Sequence, residues 1–267
     1  MKGLVDIYAT LFKTDLAVQF QYRAAMVIWL IGLVVQPVIY LVVWSTVAES
    51  QGGEVGGFTG ADFAAYYIAM MVANHLTFTW VMFEFEYRVR TGAFSPLLLQ
   101  PLHPIHRDIA TNVAYKVMTL VVIVPVTGLL IWIFAPRFEL QGWAVALSVP
   151  ALVLAFFTRF LVEWSLALAA FWTTRVNALN QVYFAAMLFL AGRIAPLELM
   201  PGWVQTLANV LPFRWMLAFP VELFLGRLTV EEAVHGLCMQ AVGLTLALIL
   251  ISLVWGRGAK RYSAVGS

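Results

Sequence analysis

Two charged residues four positions apart, Arg159 and Glu163, stand in the middle of a long apolar run, Trp143 to Trp172. On a helix that spacing puts them on one face. A charge at mid-bilayer costs about 2.5 to 3.5 kcal/mol on insertion scales, so pairing and facing protein or water are close to obligatory. Two readings follow: part of a substrate or gating path, or an internal clamp between helices that needs no ligand. Asn74 and His75 raise the same question in another apolar run, Phe63 to Phe83. Interhelical hydrogen bonds of about 0.6 kcal/mol each account for them without a substrate. His103 and His106 are three apart, but Pro104 between them disfavours the regular helix that would align two imidazoles on a metal, which leaves a solvated interfacial loop.

Other chemistries lack their residues. No glycine directly precedes a lysine, so no P-loop cradles nucleotide phosphates. GxSxG, HExxH and CxxC are absent, and His75, His103, His106 and His235 fall in three separate regions. The single cysteine, Cys238, excludes an internal disulfide and a cysteine-rich metal site, and reads as a packing residue. The expectation is a chain with no catalytic residue, no cofactor and no metal of its own.

The elements that must position these residues follow from composition. Apolar residues make up 62% of 267 positions and charged residues 11%, with a mean hydropathy of +0.87. A soluble domain is about 45–50% apolar and about 25% charged. The formal charge of +2, with the basic residues scattered, argues against a nucleic-acid surface. Apolar runs at 24–47, 63–83, 110–134, 143–172, 176–195 and 237–255 each suit the roughly 20 residues that cross a bilayer. The reading is an all-α membrane protein with six transmembrane helices in a single domain over 1–267. The fifth run is the weakest, with Asn177, Asn180 and Gln181 near its start and Gly192 and Arg193 near its end.

Residues 1–23 place Leu4, Ile7, Tyr8, Leu11 and Phe12 on one face, opposite Lys2, Asp6, Thr10 and Lys13. That is the pattern of an N-terminal amphipathic helix in the membrane interface, with packing on other protein as the lesser alternative. Residues 201–226, broken by Pro201, Pro212 and Pro220 and carrying Arg214 and Glu222, suit a broken re-entrant hairpin on the extracellular side before the last span. Eleven basic residues fall on one side of the spans: Lys2, Lys13, Arg23, Arg88, Arg90, Arg107, Lys116, Arg175, Arg257, Lys260 and Arg261. Four fall on the other: Arg137, Arg193, Arg214 and Arg227. The positive-inside rule then places both termini in the cytoplasm of a multi-pass protein of the cell inner (plasma) membrane. The connection 48–62 has acids but no base, and its GGEVGGFTG reads as a flexible outer loop. Trp44, Trp80, Trp132, Trp143 and Trp172 fall near span ends as interfacial anchors.

The connection 84–108 is too long for a simple turn and too short for a folded domain. A charged helical continuation with Glu84, Glu86, Arg88 and Arg90 ends at Thr91 and Gly92. Ser95 and Pro96 then suit the N-cap and first turn of a short helix, Pro96 to Gln100, closed by Pro101. Leu97, Leu98 and Leu99 are too apolar for a lone surface loop, so this helix wants a groove in something else.

The whole chain resembles the permease subunits of type-2 ABC transporters. The resemblance rests on the N-terminal helix, six spans, and the pattern Glu86, Arg90, Gly92, Leu97, Leu98, Pro101. It rests also on the stretch GRIAPLELMP from Gly192 to Pro201, the LPF at Leu211 to Phe213, and the closing Arg261, Tyr262, Ser263. It implies that Pro96 to Gln100 is a cytoplasmic coupling helix seated in a cleft on a separate ABC ATPase subunit. It implies two such ATPases carrying ATP and Mg, and a second permease subunit, identical or a sibling. The substrate would be a hydrophobic or amphiphilic molecule of drug, lipid or glycan type. The chain lacks a fused ATPase and a large outer domain. The competing reading is a self-sufficient secondary transporter or channel using Arg159 and Glu163 as its coupling site, against which stands the absence of inverted repeats. A scaffold or intramembrane enzyme has no positive feature in its favour.

Overall fold

The computed structural model describes residues 2–173 and 175–262; Ser263 of the tail pattern lies outside the described residues. Helices dominate, as they must where no water is present to satisfy backbone N–H and C=O groups. The order begins with α1 (Lys2–Gln21) and α2 (Arg23–Ser50), then a hairpin of β1 (Glu54–Val55) and β2 (Phe58–Thr59). It continues through α3 (Gly60–Thr77), α4 (Val81–Arg90), α5 (Ser95–Leu98), α6 (Pro104–Phe134) and α7 (Gly142–Ala167). After α8 (Ala170–Thr173) and α9 (Asn177–Leu190) come a single 3-10 turn at Leu197–Leu199 and the short helices α10 (Gly202–Val210), α11 (Phe213–Met216) and α12 (Ala218–Phe224). The last helix is α13 (Val230–Arg261).

Among the described residues, five stretches are long and apolar enough to cross a membrane: Val27–Ser50, Gly60–Arg90, Pro104–Phe134, Gly142–Thr173 and Val230–Arg261. They are not equivalent. The most apolar part of the second is 67% buried inside the protein and that of the first only 11%, so the second is the most enclosed of the five, while α13 packs chiefly on α7. α3 contacts α2, α6, α7 and α12. The outer faces of α2, α6 and α13 leave Ile28, Ile39, Val121, Val124, Leu246 and Leu253 exposed. A belt of that kind must be covered by hydrocarbon or by another protein.

Two elements and one residue here differ from the sequence reading. The glycine-rich loop is an ordered antiparallel hairpin in which Val55 pairs with Phe58. Gly56 and Gly57 both take positive φ, as the tight two-residue turn requires. Phe58 at its edge is buried under the Arg227 guanidinium, 3.7 Å from the ring centroid. The fifth apolar run yields α9, whose 14 residues cover about 21 Å at 1.5 Å per residue, short of the roughly 30 Å hydrocarbon core. Gly192, at φ +72, then turns the chain, and the Tyr66 hydroxyl donates to its carbonyl at 2.7 Å. Lys116, counted on the cytoplasmic side, stands well inside α6 and is buried.

α1 lies along α6. Tyr8, Leu11 and Phe12 are half-buried and Ile7 is exposed. The Thr111 hydroxyl donates to Asp15 at 2.9 Å, and Tyr8 is hydrogen-bonded to His106 Nδ1 at 2.8 Å. One face of α1 is therefore packed on protein, while Val5 and Val18 stay exposed.

Candidate functional site

The central span is not one helix. α3 stops at Thr77, Phe78 is extended (φ −61, ψ 143), and α4 restarts at Val81. A break at membrane depth frees backbone groups that need partners. The Phe78 carbonyl finds one in Lys116 Nζ at 2.6 Å, and the same ammonium lies 4.9 Å from the centroid of the Phe156 ring. The Thr79 hydroxyl, also in the break, donates to Glu163 Oε2.

Arg159 and Glu163 on α7 are completely buried and paired, Nε to Oε1 at 2.8 Å. Arg159 Nη1 donates to Asn74 Oδ1 at 3.0 Å and to Thr77 Oγ1 at 3.1 Å, and its guanidinium carbon lies 5.3 Å from the Phe78 ring centroid. The Tyr183 hydroxyl, from α9, donates to Glu163 Oε1 at 3.0 Å. The pair thus draws α3, the break, α7 and α9 into one knot. Asn74 belongs to it. His75 does not: its Nε2 meets Thr119 on α6 at 3.0 Å. Arg159 Nη2, His75 Nδ1 and the Asn180 side-chain amide are buried without a hydrogen-bond partner among the described residues.

A second constellation forms where α4 ends. Arg88 bridges Glu84 and Asp108, each at 2.6 Å, and Trp164 Nε1 donates to the other Asp108 oxygen at 2.9 Å. Glu86 accepts the Val176 backbone N–H at 3.0 Å just ahead of α9, with Arg90 at 3.8 Å. Gly92 takes φ +72 one residue past the C-cap Thr91, the left-handed conformation that ends many helices. The chain then drives Phe94 into a ring cluster with Phe85 (4.7 Å), Phe171 (5.3 Å), Tyr262 (5.7 Å) and Trp255 (6.4 Å).

The short helix forms at Ser95–Leu98, with Pro96 in its first turn. The expected helix was Pro96 to Gln100 with Ser95 as its cap. Ser95 instead lies inside it and is hydrogen-bonded to the Tyr262 hydroxyl at 2.9 Å, so Phe94 precedes the helix without a side-chain cap bond. The three leucines divide: Leu97 is buried, Leu98 half-buried against the same core, and Leu99 is 88% exposed beside exposed Pro101. Nor do His103 and His106 form a solvated loop. Pro104 opens α6, His103 caps it by accepting the Ile105 N–H at 3.3 Å, and the His103 ring sits 4.3 Å from Trp255. Burial, then the neighbouring His106, hold the His103 imidazole below its ordinary pKa.

The model of the ABC-2 family transporter proteins matches residues 34–266, most of the chain. The chain belongs to the ABC-2 transporter family. This ABC-2 permease is accordingly the membrane-spanning, non-catalytic component of a transporter, and membership of the family carries with it an ATPase partner in general. No curated protein and no solved structure matches it. Among the described residues of the permease no group of His, Cys, Asp and Glu is arranged to hold a metal ion. Sequence reading found Arg159, Glu163 and Asn74 because charge and amide stand out in an apolar run. It passed over Lys116, Thr77, Thr79 and Tyr183. Lys116 carried a usable signal, lying six positions inside the run that starts at Ala110; a lone hydroxyl in a span carries none.

Proposed function

We propose that this permease is half of the membrane pathway of an ATP-driven exporter. It works as a pair, identical or sibling, with two separate ATPase subunits that carry ATP and Mg, and it moves a hydrophobic or amphiphilic substrate. α5 with Leu99 and Pro101 is the coupling element, and Glu86, Arg90 and Gly92 set its angle. The observation that carries this reading is the asymmetry of the elbow. Phe94 is locked among α4, α8 and the end of α13 and Leu97 is buried in the same core, whereas Leu99 stands 88% exposed with nothing among the described residues to cover it. A push on Leu99 is transmitted to three elements at once. α9 and the broken segment α10 to α12 together supply the sixth crossing and the re-entrant turn. Both termini then lie in the cytoplasm, a reading that the basic residues support at ten against four once Lys116 is removed from the eleven.

The Arg159–Glu163 pair serves in this reading as the clamp that holds the broken span. Its bonds to Asn74, Thr77, Thr79 and Tyr183 support a structural role over an ion-coupling site open to solute. The coupling role is tested by Leu99→Asp. A carboxylate at a docked apolar contact must be desolvated without a partner, at several kcal/mol. ATPase co-purifying with the permease should drop at least tenfold while insertion and thermal unfolding stay unchanged. Full retention of the ATPase would remove α5 from the coupling path. Leu97 is unsuitable for this test, because it is part of the permease's own core.

A further inference from the structure

Two cavities lie side by side at the hairpin end of the permease. One, of about 450 Å³, is apolar, with Ile68 and Ala69 of α3, Thr127 and Ile131 of α6, Phe138 and Phe224 in its wall. The other, of about 420 Å³, is polar and bordered by Thr59, Asp62, Arg137, Glu139 and Arg227. Both volumes lie in the range of about 300 to 1,000 Å³ typical of small-molecule sites.

The partition between them is the irregular segment 135–141. Arg137 N–H donates to the Ala61 carbonyl at 3.1 Å on one side. On the other side Gly226, at φ +70, approaches so closely that a Cβ there would stand 2.6 Å from the Glu139 carbonyl oxygen. Side chains along an extended chain alternate between its faces. Phe138 and Leu140 accordingly line the apolar cavity, and Arg137 and Glu139 the polar one. The end of α12 divides in the same way, with Phe224 in the first wall and Arg227 in the second.

The two chambers make complementary demands. The polar one offers two guanidinium groups and two carboxylates. Arg137 and Glu139 are paired with each other at 3.2 Å but exposed, with side chains 66% and 70% open. Arg227 lies over Phe58 and 3.8 Å from Glu198, and one Asp62 oxygen caps α3 through Thr59. A ligand head group therefore enters by exchanging with exposed pairs. That balance suits a head group with one negative and one positive charge. The apolar one holds a buried Thr127 hydroxyl without a hydrogen-bond partner among the described residues. A donor left in that state is costly unless an acceptor reaches it.

We propose that the two cavities form one head-and-tail site for a zwitterionic phospholipid from the leaflet on the hairpin side. The phosphate is held by Arg137 and Arg227, the ammonium faces Glu139 and Asp62, and an acyl chain fills the apolar chamber. Thr127 Oγ1 is closed off from the chamber in the unliganded fold, and an ester oxygen of the lipid supplies the acceptor it lacks once its side chain turns into the chamber. This site is separate from the α5 elbow and does not rest on the coupling reading.

The test uses the full-length permease without ATPase, titrated in dodecyl maltoside with palmitoyl-oleoyl phosphatidylethanolamine and read by native mass spectrometry. One retained lipid is expected. Ala69→Phe, which fills the apolar chamber, and Arg137→Glu, which upsets the head-group balance, should each weaken retention at least tenfold; Thr127→Val should weaken it severalfold. If Ala69→Phe loses cooperative unfolding, Thr127→Val and Arg137→Glu decide the matter. Dodecylphosphocholine should displace the lipid at concentrations where the maltoside does not. Retention unchanged in Thr127→Val and Arg137→Glu would overturn the proposal. So would equally tight retention of phosphatidylglycerol, or equal displacement by both detergents, which would mean a tail pocket with no head-group site.

Discussion

At the scale of single residues, the buried pair and its neighbours make the sharpest claims. Removing one partner of a buried ion pair leaves the other uncompensated, at about 3–5 kcal/mol, whereas removing both abolishes the demand. Arg159→Ala should therefore lower the thermal stability of the purified permease more than Arg159→Ala combined with Glu163→Ala. Simple additivity would show that the 2.8 Å contact carries no coupling. Lys116→Met keeps the apolar stem but strips the Phe78 carbonyl of its donor, and should cost about 1–3 kcal/mol. His103 adds a pH dependence. Its pKa in the fold lies below that of the unfolded chain, because burial and then His106 disfavour the imidazolium. The unfolded state thus binds the extra proton first, and stability should be complete above about pH 6.5 and fall as pH drops below it. His103→Asn, which can still cap α6, should flatten that fall in melts from pH 7.5 to 5. The residues legible in the sequence were those whose charge is expensive in hydrocarbon. The hydroxyls of Thr77, Thr79 and Tyr183 were not, because a Thr in a span can bond its own helix, as Thr77 does on the Ala73 carbonyl, and a Tyr among apolar residues reads as packing.

At the scale of elements, long uninterrupted apolar runs identify α2, α6, α7 and α13 from sequence, since a bilayer demands that length and composition. The break at residues 78–80 escaped, because no Pro or Gly marks it; it is held open by partners on other elements, Lys116 and Glu163. The shortness of α9 was signalled by Gly192 and Arg193, though the surrounding residues stay apolar. The hairpin was misjudged for a different reason. Glycines at 56 and 57 read as flexibility, yet a two-residue turn at positive φ needs them. Glycine positions also supply a prediction. Gly192 combines φ +72 with a would-be Cβ 2.5 Å from the Tyr66 hydroxyl, and Gly226 combines φ +70 with the close Glu139 carbonyl. Gly192→Ala and Gly226→Ala should each lower stability by about 1–3 kcal/mol. Gly32→Ala, in open space within α2, should be neutral or slightly stabilising. Equal melting temperatures for all three would contradict the packing described around the α9 and α12 turns.

At the scale of the whole molecule, an even number of crossings follows only if α9 and the segment after it cross together. With Cys238 replaced by Ala, cysteines at Gln51 and Arg261 should label from opposite sides of intact cells. Labelling from one side would mean five crossings. In the proposed assembly the permease meets its ATPase through the exposed tip of α5. A photo-crosslinking residue at Leu99 in native membranes should capture the ATPase subunit, and the same residue at Val121, on the exposed outer face of α6, should not. A crosslink at Leu99 that vanishes when the ATPase is deleted is the expected outcome of docking through α5. An ATPase that copurifies with the permease yet never crosslinks to Leu99, or crosslinks to Val121 as readily, would contradict it.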